Sequence, residues 1–382
     1  MSNLRVLVIS AAFGAGHIRA AEAVIEAIWA KRPNTEIYHA DFGAFLNKAF
    51  HLVIKTAYID MIKYTPKLWG EFYYRTSDIP SDSLFQRFLN GLGRQEFISY
   101  IHSVQPDLIV CTYPTIAGVL AQLKEKRLLT VPLAAVVTDY AIHNQWVHQG
   151  VDLYLVGSQE VADGLAQRGI DPGCLKVTGI PVSPKFEIKL DREELAGRFG
   201  LDPDQPTILV MGGAYGVLDN AAGICRLIMQ NKLPVQLLIV CGRDKRLYST
   251  LEPLVRKAEN RVLLFEFVEN VEELMTVSDL MITKAGGLTV SEALTKQLPM
   301  VIYKPIPGQE KVNSEFLRRI GTGKIATTER ELLQILTHLL ENPEEIKVMS
   351  HAAAKLPRCT AETAADYLLG LFRQRNRVRK VG

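Results

Sequence analysis

Four stretches of the sequence join glycine turns to polar side chains, the combination that anion and sugar sites need. The first is Ser10-Ala-Ala-Phe-Gly-Ala-Gly-His-Ile-Arg19. Gly14 and Gly16 allow a tight turn and close backbone approach to a ligand. A helix opening there would present N–H groups to an anion or oxyanion. His17 stands at the mouth of that helix, and an imidazole with an unperturbed pKa near neutrality suits a general base. The second stretch is Met211-Gly-Gly-Ala-Tyr-Gly216, where Gly212 and Gly213 suit approach to a phosphate or sugar. The third is Lys284-Ala-Gly-Gly-Leu-Thr-Val-Ser-Glu292. Amides of Gly287, Leu288 and Thr289 would receive a diphosphate, and Glu292, about one turn on, would accept two hydrogen bonds from ribose hydroxyls. The fourth is Pro307-Gly-Gln-Glu-Lys-Val-Asn313, a polar loop in which Gln309 and Glu310 suit sugar hydroxyls.

Other patterns point elsewhere. The first stretch is an incomplete dinucleotide fingerprint, since G-x-G-x-x-G needs glycine where Arg19 stands. With Asp41 as a ribose-binding acid, it keeps a nicotinamide dehydrogenase among the alternatives. Asp202-Pro-Asp204 resembles a metal-binding D-x-D but is ordinary turn chemistry. Asp139, His143 and His148 have no standard metal spacing. No metal site and no cofactor are expected.

The elements that hold these residues read as short buried strands alternating with helices. Leu4–Ser10, Glu36–His39, Leu108–Cys111, Leu133–Thr138 and Leu153–Val156 form one set of apolar, β-branched runs. Thr207–Met211, Val235–Cys241, Val262–Phe265, Leu280–Thr283 and Met300–Tyr303 form a second. Helical patterns separate most of them, which is the βαβ rhythm of a doubly wound α/β sheet. Residues 183–206, with a short charged helix between proline turns, read as a linker. The expected domains are 1–182 and 207–350. A helix and basic tail over 351–382 are expected to pack back on the first. The second, third and fourth stretches follow parallel strands and should open at one sheet edge, where such sheets bind ligands.

The chain of 382 residues is long enough for two or three domains, and its 48% apolar and 22% charged content excludes disorder and fibre. A net charge of +3 speaks against a nucleic-acid partner. Five cysteines without a C-x-x-C pair read as free thiols of a reducing compartment. No apolar run of about 18 residues is present, so no membrane-spanning helix is expected. The apolar start fits a buried strand better than a signal peptide.

One segment breaks the rhythm. Residues 42–75 hold nine aromatics and five cations, among them Lys48, Lys55, Lys63 and Lys67, against two acids. That composition suits either a helix lying in a membrane interface or a pair of core helices with solvated lysines. The tail Arg373–Lys380 carries five cations in eight residues and would be drawn to anionic lipid.

Taken together, these motifs resemble inverting GT-B glycosyltransferases that glycosylate lipids. Gly286–Glu292 is similar to the donor signature of the N-acetylglucosaminyltransferase that makes lipid II. The remainder is closer to the diacylglycerol glucosyltransferases and monogalactosyldiacylglycerol synthases. The matches are S-A-A-F-G-A-G-H, T-D-Y-x-x-H-x-x-W over Thr138–Trp146, V-T-G-I-P-V over Val177–Val182, M-G-G, I-T-K-A-G-G and G-Q-E. The resemblance implies two Rossmann-like doubly wound domains facing a central cleft. It implies a UDP-hexose, glucose or galactose, held through Gly16, Gly212, Gly213, Lys284, Gly286, Gly287, Leu288, Thr289, Glu292, Gln309 and Glu310. It sets the uracil near Phe267 and Val268. His17 becomes the base, with Asp139 as helper or alternative, and diacylglycerol becomes the acceptor. A peripheral enzyme on the cytoplasmic face of the cell membrane is the implied setting. A soluble UDP-sugar epimerase and a non-catalytic UDP-sugar sensor are the competing readings. Ala214 and Tyr215 depart from the smaller or acidic pair common in the family.

Overall fold

The computed structural model describes residues 3–11, 15–45, 65–77, 94–212, 218, 220–356 and 361–381. Two compact units emerge: residues 1–184 with 358–382, and residues 185–357. Each is built on a six-stranded parallel sheet.

In the first unit the strand order is β2-β1-β3-β4-β5-β6. These strands are Arg5–Ser10 (β1), Glu36–Asp41 (β2), Leu108–Cys111 (β3), Leu133–Val136 (β4), Leu153–Val156 (β5) and Leu175–Val177 (β6). β3, β4 and β5 are buried along their whole length. That is why their sequences are continuous apolar runs and not alternating ones. Leu7, Ile9, Ile109 and Cys111 face one layer, with Phe97, Ile116 and Leu120 packed on them. Val6, Val8 and Val110 face the other, against Ala21, Val24 and Ile28 of helix Ala15–Lys31. The final helix, Ala361–Val381, lies in that second layer through Ala364, Ala365 and Leu368. Lys31 ties the two helices with ion pairs to Glu362 at 2.9 Å and Asp366 at 2.8 Å.

The second sheet has the order β12-β11-β10-β7-β8-β9. Its strands are Thr207–Met211 (β7), Gln236–Val240 (β8), Val262–Phe265 (β9), Leu280–Thr283 (β10), Met300–Tyr303 (β11) and Gly323–Ala326 (β12). Counted within the unit, that is the 3-2-1-4-5-6 order of dinucleotide folds. In both sheets the order reverses beside the unit's first strand, between β1 and β3 and between β7 and β10.

Two strands were absent from the sequence reading. β6 is only three residues, and β12 begins with glycine; each contains a lysine, Lys176 and Lys324, at a sheet edge. Edge strands are commonly short and charged, which weakens the apolar signal. The expected linker is also largely structured. Helix Arg192–Phe199 is capped by Asp191, which accepts from the amides of Glu193 and Glu194. Arg192 pairs with Asp279, and Arg198 with Glu273, so this helix belongs to the second unit. That unit also runs on to Pro357, past the expected boundary at 350.

Candidate active site

His17 lies in the first turn of helix Ala15–Lys31, directly after β1, and Gly16 precedes it there. Its Nδ1 is 2.6 Å from the carbonyl oxygen of Thr112, the residue after β3. The ring therefore bridges the two loops at the switch point of the first sheet, where open α/β sheets bind ligands. A carbonyl only accepts, so Nδ1 carries the proton and Nε2 the lone pair. The Thr138 hydroxyl stands 3.0 Å from Nδ1, and the Thr112 hydroxyl donates back to the His17 carbonyl at 2.8 Å. Tyr113 meets the imidazole edge-on, with ring centres 5.0 Å apart. Burial disfavours the imidazolium and lowers the pKa to about 4, although the Thr112 carbonyl pulls the other way. At neutral pH the ring is an oriented, uncharged base.

Asp139 follows Thr138 in the same loop and is half-buried. The Tyr73 phenol is pushed well above its ordinary value by burial and, secondarily, by the negative charge of Asp139. The loop beyond is laced internally. His143 Nδ1 accepts from the Gln145 amide at 3.2 Å, which leaves its Nε2 proton facing the Thr76 hydroxyl at 3.5 Å. His148 Nε2 is 2.8 Å from the Gln145 carbonyl. The Tyr154 hydroxyl accepts from the His148 amide at 3.1 Å and lies 2.7 Å from the Trp146 carbonyl. These histidines are structural posts of the loop. Among the described residues no group of three His, Cys, Asp or Glu is placed to hold a metal.

Helix Pro66–Ser77 rests on this loop through Tyr73 and Thr76, and the Tyr73 ring meets His143 at 5.0 Å. It turns Lys67, Leu68, Glu71, Tyr74 and Arg75 outward. Lys48, Lys55 and Lys63 lie outside the described residues. No described helix is long and apolar enough to cross a membrane.

In the second unit, β7 ends at Met211, and Gly212 after it is buried; Gly213, Ala214 and Tyr215 lie outside the described residues. β10 leads through Lys284 and Ala285 into helix Gly287–Thr295. Gly286 is the N-cap, with φ −69° and no side-chain cap. The first bond of the helix runs from the Val290 amide to the Gly286 carbonyl at 2.9 Å. The Gly287, Leu288 and Thr289 amides thus precede the ladder and have no partner within it. A Cβ built on Gly286 would meet nothing within 4 Å, so neither φ nor packing requires glycine there. Open space above unsatisfied amides is what an entering anion needs. Glu292 is half-buried, three and four residues beyond Thr289 and Leu288, and so on their face of the helix.

The fourth motif is not a loop. Helix Gln309–Arg319 begins at Gln309, after Gly308 with φ 105°. A left-handed glycine lets the chain turn sharply into the helix, so the polar residues fall in its first turn. Glu310 is buried there, with Oε1 3.1 Å from Lys284 Nζ and Oε2 accepting from the Ile306 amide at 3.4 Å. Both oxygens hold the protein together, which leaves half-buried Gln309 as the more available of the two side chains. Asn313, one turn on and fully buried, donates to the Ala285 carbonyl at 2.9 Å. Sequence reasoning gave Asn313 no role; its place one turn after Gln309 was the available signal. Sequence reasoning also gave no role to Arg243, whose guanidinium lies 5.2 Å from the ring centre of Phe267. Phe267 and Val268 follow β9 at the same sheet edge, half-buried.

Two Rossmann-like units, each on a six-stranded parallel sheet with a switch point beside its first strand, are the GT-B architecture. Residues 17–182 match the monogalactosyldiacylglycerol (MGDG) synthase family, and residues 207–364 match the glycosyltransferase family 28 C-terminal domain. A processive diacylglycerol beta-glucosyltransferase of Staphylococcus saprophyticus is 32% identical over 96% of this chain and 93% of its own length. The same enzyme of Bacillus subtilis is 29% identical over 91% of this chain and 90% of its own. The chain belongs to this family of diacylglycerol glycosyltransferases. The crystal structure of Acinetobacter baumannii MurG superposes with a TM-score of 0.60 at 17% identity, covering 97% of this chain and all of MurG. A putative UDP-N-acetylglucosamine 2-epimerase from Listeria monocytogenes gives 0.61 at 15%, covering 98% and 97%. Likeness at that level reports the shared fold alone.

Proposed function

We propose that the chain transfers glucose from UDP-glucose to the hydroxyl of diacylglycerol, with inversion at the anomeric carbon. The observation that carries this reading is His17, neutral and with Nε2 left as its basic nitrogen by the Thr112 carbonyl. Nε2 takes the acceptor proton as the acceptor oxygen attacks the anomeric carbon. The bond from that carbon to the diphosphate breaks, and UDP leaves. Charge on the departing phosphate is offset by the Gly287–Thr289 amides and the positive end of their helix, with no metal in the step. Glu292 holds the ribose, Gln309 the sugar, and the Lys284–Glu310 pair fixes the turn between them.

Glucose, not galactose, is favoured by the relatives, processive diacylglycerol beta-glucosyltransferases 29–33% identical over most of both chains. Diacylglycerol is insoluble, so we place the enzyme peripherally on the cytoplasmic face of the cell membrane. The aromatic and basic 42–75 segment supplies the contact there. The decisive experiment is radiolabelled transfer from UDP-glucose and UDP-galactose into diacylglycerol vesicles, with and without EDTA, and products separated by sugar number. Glucolipid formation unaffected by EDTA is expected. UDP-sugar turnover without lipid acceptor would favour the epimerase instead.

A further inference from the structure

Arg243 has no role in the reaction as derived so far, yet its placement is specific. β8 and β9 run parallel, and the Cys241 amide donates to the Phe265 carbonyl at 2.9 Å, so the chain leaves both strands side by side. Gly242 then takes φ 62°, the left-handed conformation that turns the backbone at the carboxyl edge. Arg243 follows, exposed, and its guanidinium packs on the Phe267 ring with 5.2 Å between cation and ring centre. Among the described residues it has no carboxylate partner. Asp244, its neighbour, is committed to capping helix Lys245–Val255 through the Arg246 and Leu247 amides, each at 3.0 Å. An arginine held by an aromatic face, and not by an acid, keeps its N–H donors for a ligand.

The order of strands says which part of a nucleotide sugar it would meet. β10 and β7 flank the switch point and carry the diphosphate amides; β8 and β9 lie beyond β7, away from the sugar-side helix after β11. We infer that Arg243, steadied by Phe267, reads the base of the nucleotide donor and sets the preference for uracil. This rests on the UDP-sugar reading above. A guanidinium offers only donors, and uracil presents carbonyl acceptors at both O2 and O4. Cytosine replaces O4 with an amino donor, which would confront the guanidinium donor to donor.

Titration calorimetry with UDP, UMP and CDP tests this on the wild-type chain and on Arg243→Ala and Arg243→Lys. The residue is exposed, so both variants should fold. Expected is a loss of about tenfold for UDP and UMP alike in Arg243→Ala, the scale of one charge-assisted hydrogen bond. CDP binding should change little, so the UDP-to-CDP preference collapses. Arg243→Lys keeps the charge but not the planar fork and should lose the preference as well. Unchanged UDP affinity, or equal losses for UDP and CDP, overturns the inference; equal losses would mark a phosphate contact. A wild-type chain that fails to bind UDP overturns the donor reading itself, and this inference with it.

Discussion

In the proposed reaction, one contact sets which nitrogen of His17 can act as the base. Had Nδ1 faced a donor, the proton would sit on Nε2 and the ring would present an acid to the acceptor. The Thr112 carbonyl at 2.6 Å fixes the opposite tautomer. His17→Ala should therefore lower transfer by about 10²–10⁴-fold, the usual range for a lost general base. UDP affinity should be nearly unchanged, since the proposed donor-binding residues, Gly16 apart, belong to the other unit. The pH profile gives a second test. The base works when unprotonated, and burial brings its pKa down to about 4. The acid limb of kcat/KM should accordingly fall near pH 4, not near the ordinary histidine value of about 6.5. An acid limb near 6.5 would mean that the imidazole is solvated in the working enzyme. Glu292→Ala should weaken UDP binding by about 1.5–3 kcal/mol, the worth of a hydrogen bond to a charged group. The helix should survive, because alanine is a good helix former. Calorimetry with UDP reads both outcomes.

At the scale of elements, helix Gly287–Thr295 separates what the fold needs from what the ligand needs. Its N-cap is a glycine without steric or conformational cause. Serine at that position would supply the missing side-chain cap. Gly286→Ser is thus expected to leave the thermal midpoint unchanged or higher. If the proposed donor site is right, UDP affinity should nonetheless fall about tenfold, as a side chain enters the open space before the Gly287–Thr289 amides. A mutant that loses stability and keeps affinity would reverse the assignment. The segment of residues 42–75 carries the corresponding test for the lipid. Replacing Lys48, Lys55, Lys63 and Lys67 with glutamate should reduce co-sedimentation with anionic vesicles and transfer to vesicle acceptor, with UDP affinity intact. Binding to anionic vesicles by the unaltered chain should fall with salt, whose screening length is about 3 Å at 1 M.

These elements were not equally legible. β3, β4, β7 and β10 announced themselves because burial on both faces makes a strand uniformly apolar. β6 and β12 did not, because an edge strand needs few apolar residues and carries a lysine. The turn into helix Gly287–Thr295 was readable from two glycines before a helix, since a backbone turn needs no partner elsewhere in the chain. Glu310 was harder. Its oxygens are claimed by Lys284, 26 residues away, and by the Ile306 amide. Nothing local distinguishes a carboxylate aimed at a sugar from one spent on an ion pair. Arg243 meets its ring 24 residues on, through adjacency of two strands that only the sheet order reveals.

On the scale of the whole molecule, the path of the chain matters most. It leaves the first unit after Pro184 and returns at Arg358. Leu368 is fully buried in the layer shared with Val8 and Val110. Leu368→Ala should cost about 2–5 kcal/mol, as large-to-small core changes do. Hydrogen exchange should then accelerate across β1, β3 and β4 while the second sheet keeps its protection. The same path has a consequence for synthesis. A ribosome delivers β1 through β6 long before Ala364, Ala365 and Leu368, so the first layer to be made waits longest for its cover. Until those residues emerge, the apolar side of helix Ala15–Lys31 is a surface that the nascent chain must shield by other means. The second unit, begun later, has all its own strands and helices in hand first. Order of translation and order of completion are thus opposed, and a chaperone that holds the early segment would find its target in the face later sealed by residues 361–372.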